Sequence, residues 1–213
     1  PEGDGAFICK NSWGADFGQN GFFYISYYDQ NIGVYGVAYT GVESADNYDQ
    51  IYQSDLLGWT GSIGYNEPLA WFSSVYQAEQ TSTVQAAGFY ATDADTYYDI
   101  YLVENFEGIE DMDRRVLLQS GYIEDKGYYT IPLRNQQIVE GGERFAVIVQ
   151  IYTKGSSHPV AIEYASNELT SAADITDGDR ADITVFLVGN QQSVYAAAGH
   201  ALGALQYAPV PVN

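Results

Sequence analysis

Side chains able to act as a nucleophile or carry a proton near neutral pH are scarce in this sequence. There is one cysteine, Cys9, and there are two histidines, His158 and His200. A catalytic thiol needs a base beside it, because the thiolate and not the thiol attacks. No histidine stands near Cys9 in the chain. A second chemistry on offer is sugar binding, in which an aromatic face packs against ring C–H groups while amides and carboxylates read the hydroxyls. Trp59, Tyr65 and Asn66, set in Gly-rich turn sequence, suit it best. Trp71 is expected to fill a core, as large aromatics mostly do, and Trp59 is open to either use. The third chemistry is cation binding by oxygen. Carboxylates gather as Asp93 with Asp95, Asp111 with Asp113, and Asp174 with Asp177, Asp179 and Asp182. Calcium takes about six to eight oxygens, and Asp174, Asp177 and Asp179 are the densest supply. None of these loops has the spacing of a helix-loop-helix calcium hand, so a solvated acidic loop is the plain alternative. No cofactor is required; calcium is the one candidate.

The elements that must position these groups are strands. Alternating, β-branched and aromatic runs recur at 6–10, 22–27, 50–53, 71–77, 83–90, 97–103, 116–119, 128–131, 145–152, 160–164 and 183–188, separated mostly by Gly, Asp, Asn or Pro clusters. That spacing predicts an all-β sandwich or barrel. Thr96 to Val103 mixes polar and apolar positions as a half-exposed strand does, whereas Phe145 to Val149 reads as buried on both faces. No amphipathic helix longer than about three turns is expected. Two strands around Asn11-Ser12-Trp13-Gly14 form a segment 1–29. A linker, 30–47, carries Gly33, Gly36 and Gly41, and the many-stranded region follows over 48–188. The final 189–213 is rich in Ala, Gly and Pro, and reads as a mobile tail or as a last strand able to pair with another chain.

The ordered set Gly5-Ala6-Phe7-Ile8-Cys9-Lys10-Asn11-Ser12-Trp13-Gly14, followed by Phe17-Gly18-Gln19-Asn20-Gly21-Phe22-Phe23-Tyr24-Ile25, resembles the segment around the catalytic asparagine of papain-family cysteine peptidases. The resemblance implies that Asn11 is the amide that orients the catalytic histidine and that Trp13 is the indole that shields that contact. A neutral amide oxygen accepting the imidazole N–H fixes the ring without adding charge. The family's nucleophile and histidine both precede this asparagine, and neither is found upstream of it here. Cys9 is no substitute. It lies two residues before Asn11 on the same predicted strand, so both side chains project to one face with no histidine between them. His200, in Gly199-His200-Ala201-Leu202, is faintly similar to the family's histidine strand but stands on the wrong side of Asn11 in the chain. The chain alone is therefore expected to be non-catalytic, with an upstream papain-like catalytic domain as its partner.

Beyond residue 47 the order of features resembles the lectin-like domain that follows the peptidase domain in bacterial and archaeal surface papain-like enzymes. The pieces that carry it are Tyr48-Asp49-Gln50-Ile51-Tyr52, Trp59-Thr60-Gly61, Trp71 to Tyr76, Gln85 to Tyr90, Thr96 to Tyr101, Gly127 to Ile131 and Gly141 to Val149. The resemblance implies a jelly-roll β-sandwich, a secreted or cell-surface location, and glycan or cell-wall polymer as a ligand.

Charge narrows the partners. With 28 acidic against 8 basic residues and a net charge of -20, the chain is a poor match for nucleic acid, which needs clustered Lys and Arg. Anionic membranes are disfavoured for the same reason, and no run of about eighteen apolar residues predicts a membrane span. Hydrophobic residues make up 46% of the chain, enough for a packed core rather than disorder. The start at Pro-Glu-Gly-Asp-Gly carries no signal-peptide pattern and reads as a fragment whose targeting segment lies upstream. Three readings follow: accessory domain of a cysteine peptidase, glycan-binding module, and a surface protein that self-assembles into homo-oligomers through strand edges and its tail.

Overall fold

The structure, a computed structural model, describes residues 4–33, 36–54, 58–163 and 183–189. The chain divides into two compact units, Pro1–Ser44 and Ala45–Asn213.

The first unit is built on an antiparallel hairpin of β1 (Ala6–Lys10) and β2 (Phe22–Ser26), in register from Ala6 opposite Ser26 to Lys10 opposite Phe22. Residues 11–21 connect the two strands, and the chain turns tightly at Gln19-Asn20-Gly21-Phe22 just before β2. Asn20 and Gly21 have φ of 54° and 85°, and Gln19 and Phe22 exchange backbone hydrogen bonds of 2.8 and 3.1 Å. The turn needs two consecutive left-handed residues, and Asn and Gly adopt that conformation at least cost, which is why Asn-Gly stands there. Rings pack edge to face along the hairpin: Phe7 with Tyr27 at 4.7 Å, Trp13 with Phe17 at 5.1 Å, and Phe17 with Phe23 at 5.7 Å.

The second unit holds the other strands: β3 (Gln50–Tyr52), β4 (Gly61–Ile63), β5 (Leu69–Gln77), β6 (Ser82–Ala91), β7 (Thr96–Val103), β8 (Val116–Ile123), β9 (Gly127–Val139), β10 (Arg144–Thr153), β11 (Val160–Ile162) and β12 (Thr184–Gly189). They form two four-stranded antiparallel sheets, ordered β5-β10-β7-β8 and β3-β12-β6-β9, and β4 pairs with β11. The pairing is nested: β7 with β8, β6 with β9, β5 with β10 and β3 with β12. Nested pairing distributed over two sheets is the jelly-roll arrangement, so the expected all-β sandwich is the fold observed. The expected strand runs fall on strands; β4 was not anticipated, nor was the 3-10 helix Ile109–Arg114, the one helix among the described residues. It is too short to cross a membrane, and no described helix is long and apolar enough to do so.

Alternation explains the core. Inward residues Phe72, Tyr76, Phe89, Ile100, Leu118, Phe145, Ile151 and Leu187 from both sheets are buried together, as facing pleated surfaces require. Phe145 to Val149 is buried throughout, as its apolar run predicts, while β7 alternates between buried and partly exposed residues. Several polar groups inside are paired. The Thr96 and Thr153 hydroxyls meet at 2.9 Å. The Tyr76 hydroxyl donates to the Ile183 carbonyl at 2.9 Å, and the Ile183 N–H donates to Ser74 Oγ at 3.1 Å. These two bonds tie β5 of one sheet to the start of β12 in the other.

A smaller cluster lies on the outer face of the β5-β10-β7-β8 sheet, where Val75, Val103, Phe106, Ala146 and Ile148 are buried with Trp71, Tyr101 and Met112 against them. Trp71 thus packs outside the sandwich rather than within it. Trp71 and Phe72 are consecutive, so only one of them can face inward on a strand, and Phe72 does.

Candidate functional site

In the hairpin, Asn11 directly follows β1. Its N–H donates to the Gly21 carbonyl at 2.9 Å, and its side-chain Oδ1 accepts the Trp13 N–H at 2.7 Å. This local turn fixes the carboxamide. The buried Nδ2 has no hydrogen-bond partner among the described residues, a costly condition for a polar group unless a further partner arrives. Trp13 is 77% exposed, resting only one edge on Phe17. An indole so open covers nothing within the hairpin. Cys9 is opposite Phe23 in the register, and its thiol contacts the Phe7 carbonyl at 4.0 Å. No histidine occurs in residues 1–157, so this unit contains no base to activate it.

The three residues suited to sugar binding flank β4. Trp59 stands before it, 37% exposed, with its indole N–H donating to Ser62 Oγ at 3.0 Å and its ring 6.1 Å from Tyr90. Tyr90 in turn meets Tyr128 at 4.9 Å. Tyr65 and Asn66 stand after β4. Tyr65 is 57% exposed, and Asn66 has φ of 61° with its N–H donating to the Ser157 carbonyl at 3.1 Å. Gly64 lets that turn press against the loop before β11, since a Cβ there would stand 2.7 Å from the His158 Cα. Six residues of extended chain reach at most about 20 Å, and Trp59 and Tyr65 lie at opposite ends of such a run. The structure gives the Trp59 ring the neighbour Tyr90, on β6, and Tyr90 packs in turn on Tyr128.

Of the acidic loops, Asp174, Asp177 and Asp179 lie outside the described residues, as does His200. The other two loops use their carboxylates to hold backbone and neighbours. Asp93 accepts the Ala94 N–H at 2.9 Å, and Asp95 accepts the Tyr122 hydroxyl. That bond holds the Tyr122 phenol protonated, pushing its pKa up to about 12. Asp111 accepts the N–H groups of Glu107 and Gly108 and pairs with Arg114 at 2.7 Å; the Glu107 N–H, then the Arg114 side chain, lower its pKa. Among the described residues no group of three or more His, Cys, Asp or Glu is arranged to hold a metal ion.

Clefts open on the sandwich, among them two lined by described residues. One, of about 360 Å³, is lined by Glu104, Asn105, Glu140, Glu143 and Arg144 among others. In it the Asn105 carboxamide faces the Glu143 carboxylate, and the Arg144 guanidinium lies 5.4 Å over the Phe106 ring, its Nε without a hydrogen-bond partner among the described residues. The other, of about 330 Å³, is lined by Leu69, Tyr97, Asp99, Ser120, Gln150 and Tyr152 on the outer face of the β5-β10-β7-β8 sheet. Reading the sequence in order missed this set, because its members come from four strands and meet only through the pairing register.

The same architecture occurs in known proteins. The fold is similar to that of a clostridial cysteine protease, Cwp84, after propeptide cleavage, with a TM-score of 0.66 and 18% identity over 89% of this chain and 53% of that one. It is similar too to the cysteine protease and lectin-like domains of Cwp84, a surface layer associated protein of Clostridium difficile, with a TM-score of 0.62 and 16% identity over 89% of this chain and 47% of that one. This chain spans about half the length of those structures. No curated protein matches it. The structural likeness reaches well beyond the segment matched by a family model for the lectin-like domain, which covers residues 51–180. That match takes in more than half of the chain and runs from β3 through β11 of the nested sandwich, so the chain belongs to the lectin-like domain family.

Proposed function

We propose that this chain is the non-catalytic C-terminal portion of a cell-surface papain-like cysteine peptidase, and that its lectin-like sandwich holds the enzyme against a glycan or other surface polymer. The observation that carries this reading is the order of parts. A hairpin presenting Asn11 and Trp13 precedes a lectin-like sandwich in one chain, and the structures of similar fold join a cysteine protease to a lectin-like domain. The open indole of Trp13 and an Asn11 Oδ1 that accepts only the Trp13 N–H are what this hairpin would show when the histidine they serve belongs to another part of the protein. With Oδ1 holding the Trp13 N–H, one oxygen lone pair remains to orient an imidazole. The sandwich contributes no reacting group to peptide hydrolysis in this reading; it positions.

The test compares the isolated chain with the full-length parent on fluorogenic peptides. The isolated chain hydrolyses none, and Cys9 reacts with thiol reagents as an ordinary thiol. The parent cleaves in a thiol-dependent manner, and Asn11→Ala in it lowers kcat/KM by roughly 100-fold, the scale of loss when a catalytic group is misplaced. Peptide cleavage by the isolated chain, or an unchanged kcat/KM in the variant, would overturn the reading.

A further inference from the structure

The outer face of the β5-β10-β7-β8 sheet carries an ordered set of side chains that no local motif announces. Cross-strand register sets Leu69, Tyr152, Tyr97 and Tyr122 in one row across the sheet, and Trp71, Gln150, Asp99 and Ser120 in the next. Strands about 4.8 Å apart, with same-face residues about 7 Å apart along each, bring these rows into direct contact. The first row is an aromatic ridge: Tyr97 lies 5.0 Å from Tyr122 and 6.5 Å from Tyr152, both at 51°. All three tyrosines are about half exposed. On the far side a second ridge forms where Trp71 and Tyr101 stack at 5.5 Å, with the Arg115 guanidinium 5.2 and 5.6 Å from the two ring centroids. Between the ridges runs the polar row of Gln150, Asp99 and Ser120, lining the cleft of about 330 Å³.

The polar row is unspent. Asp99 receives one hydrogen bond, from the Tyr101 hydroxyl at 3.3 Å, and no cation among the described residues pairs with it. Of the cations on this face, Arg115 lies over the Trp71 and Tyr101 rings and Arg144 over the Phe106 ring. The Gln150 amide and the Ser120 hydroxyl have no protein partner among the described residues.

We propose that this trough binds a saccharide bearing a free, protonated amino group, a glucosamine-type unit of a polysaccharide. The inference rests on the reading of the sandwich as a glycan-holding module and names the ligand class and the place. The Tyr97 and Tyr152 rings take the C–H face of a sugar ring, the Gln150 amide and Ser120 hydroxyl read its hydroxyls, and the Asp99 carboxylate takes the ammonium in a charge-assisted hydrogen bond. Charge complementarity selects the amine. A chain of net charge -20 with an unpaired carboxylate in the trough attracts cationic sugars and repels uronate or phosphate polymers.

The experiment titrates the full 213-residue chain by calorimetry with a glucosamine tetramer, its fully N-acetylated form, and a neutral glucan tetramer. The glucosamine oligomer binds most tightly, and raising salt weakens it. Asp99→Asn lowers its affinity roughly ten-fold and leaves the acetylated form unchanged, whereas Tyr97→Ala weakens both. Trp59→Ala changes neither. Melting curves confirm that these variants of exposed or half-exposed positions remain folded. Equal affinity for acetylated and free-amine oligomers, or an Asp99→Asn variant that binds as the parent does, overturns the trough. If the oligomers bind but only Trp59→Ala weakens them, the trough falls and the glycan-holding reading stands. If no saccharide binds, both fall.

Discussion

Replacing Tyr76 with Phe tests what locks the two sheets together. Tyr76 is 1% exposed, and its hydroxyl donates to the Ile183 carbonyl at 2.9 Å while the Ile183 N–H donates to Ser74 Oγ at 3.1 Å. Ile183 directly precedes β12, an interior strand of its sheet, so both backbone groups of one residue are satisfied from β5 across the core. Tyr76→Phe keeps the ring, and with it the packing on Tyr52 at 5.6 Å and Phe145 at 6.1 Å, so no cavity follows. What is lost is the hydrogen bond, while a buried carbonyl is left without this donor, together a cost of about 1–3 kcal/mol. For a chain of this length each kcal/mol lowers Tm by roughly 2–4 °C, so a loss near 2 kcal/mol lowers it by about 4–8 °C. Urea unfolding is the cleaner assay: the midpoint falls while the slope m stays the same, because the exposed surface does not change. Ser74→Ala acts on the same residue and costs a similar amount. The two losses are not additive, because once one bond is gone Ile183 is free to shift and the second bond is weakened. A Tyr76→Phe protein within about 0.3 kcal/mol of the parent, below the usual limit for a buried hydrogen bond, would show that the clamp contributes nothing and that apolar packing alone seats β12.

Tyr122 provides a pH signature. Its phenol titrates at about 12 in the folded chain because Asp95 accepts its hydrogen, against about 10 when unfolded. The folded state therefore holds a proton that the unfolded state sheds, so this contribution is full below pH about 10 and disappears as pH rises through about 12. Tyr122→Phe flattens the decline of Tm over that window, and parallel curves for variant and parent would count against the bond. Calcium, if taken up by Asp174, Asp177 and Asp179, raises Tm progressively with concentration by binding linkage, by about 2.7 kcal/mol of stability at a hundred times Kd. Asp177→Asn combined with Asp179→Asn abolishes the rise, and a melting curve indifferent to millimolar calcium removes those residues as ligands.

How much of this was legible in the sequence depends on whether the signal is local. Strand positions were, because alternation and β-branched runs are read within one segment: Phe145 to Val149 announced an interior strand, and Asn20-Gly21 is the dipeptide its turn demands. The lectin-like sandwich was likewise legible, since its marks are contiguous pieces in a fixed order. Two short elements escaped. β4 is Gly-Ser-Ile, with too little apolar pattern to register, and it exists because β11 pairs with it. The 3-10 helix Ile109–Arg114 depends on Asp111 reaching back to Glu107 and Gly108, a single side chain rather than a periodicity. Only the tertiary structure decided which face each strand turns inward. Trp71 and Phe72 are equally apolar, and the parity of β5 sent Phe72 to the core and Trp71 to the outer ridge. The trough is tertiary in the same sense. Leu69, Tyr97, Asp99, Ser120, Gln150 and Tyr152 come from β5, β7, β8 and β10, and what joins them is hydrogen-bond register, which shifts every side chain to the other face when it slips by one residue.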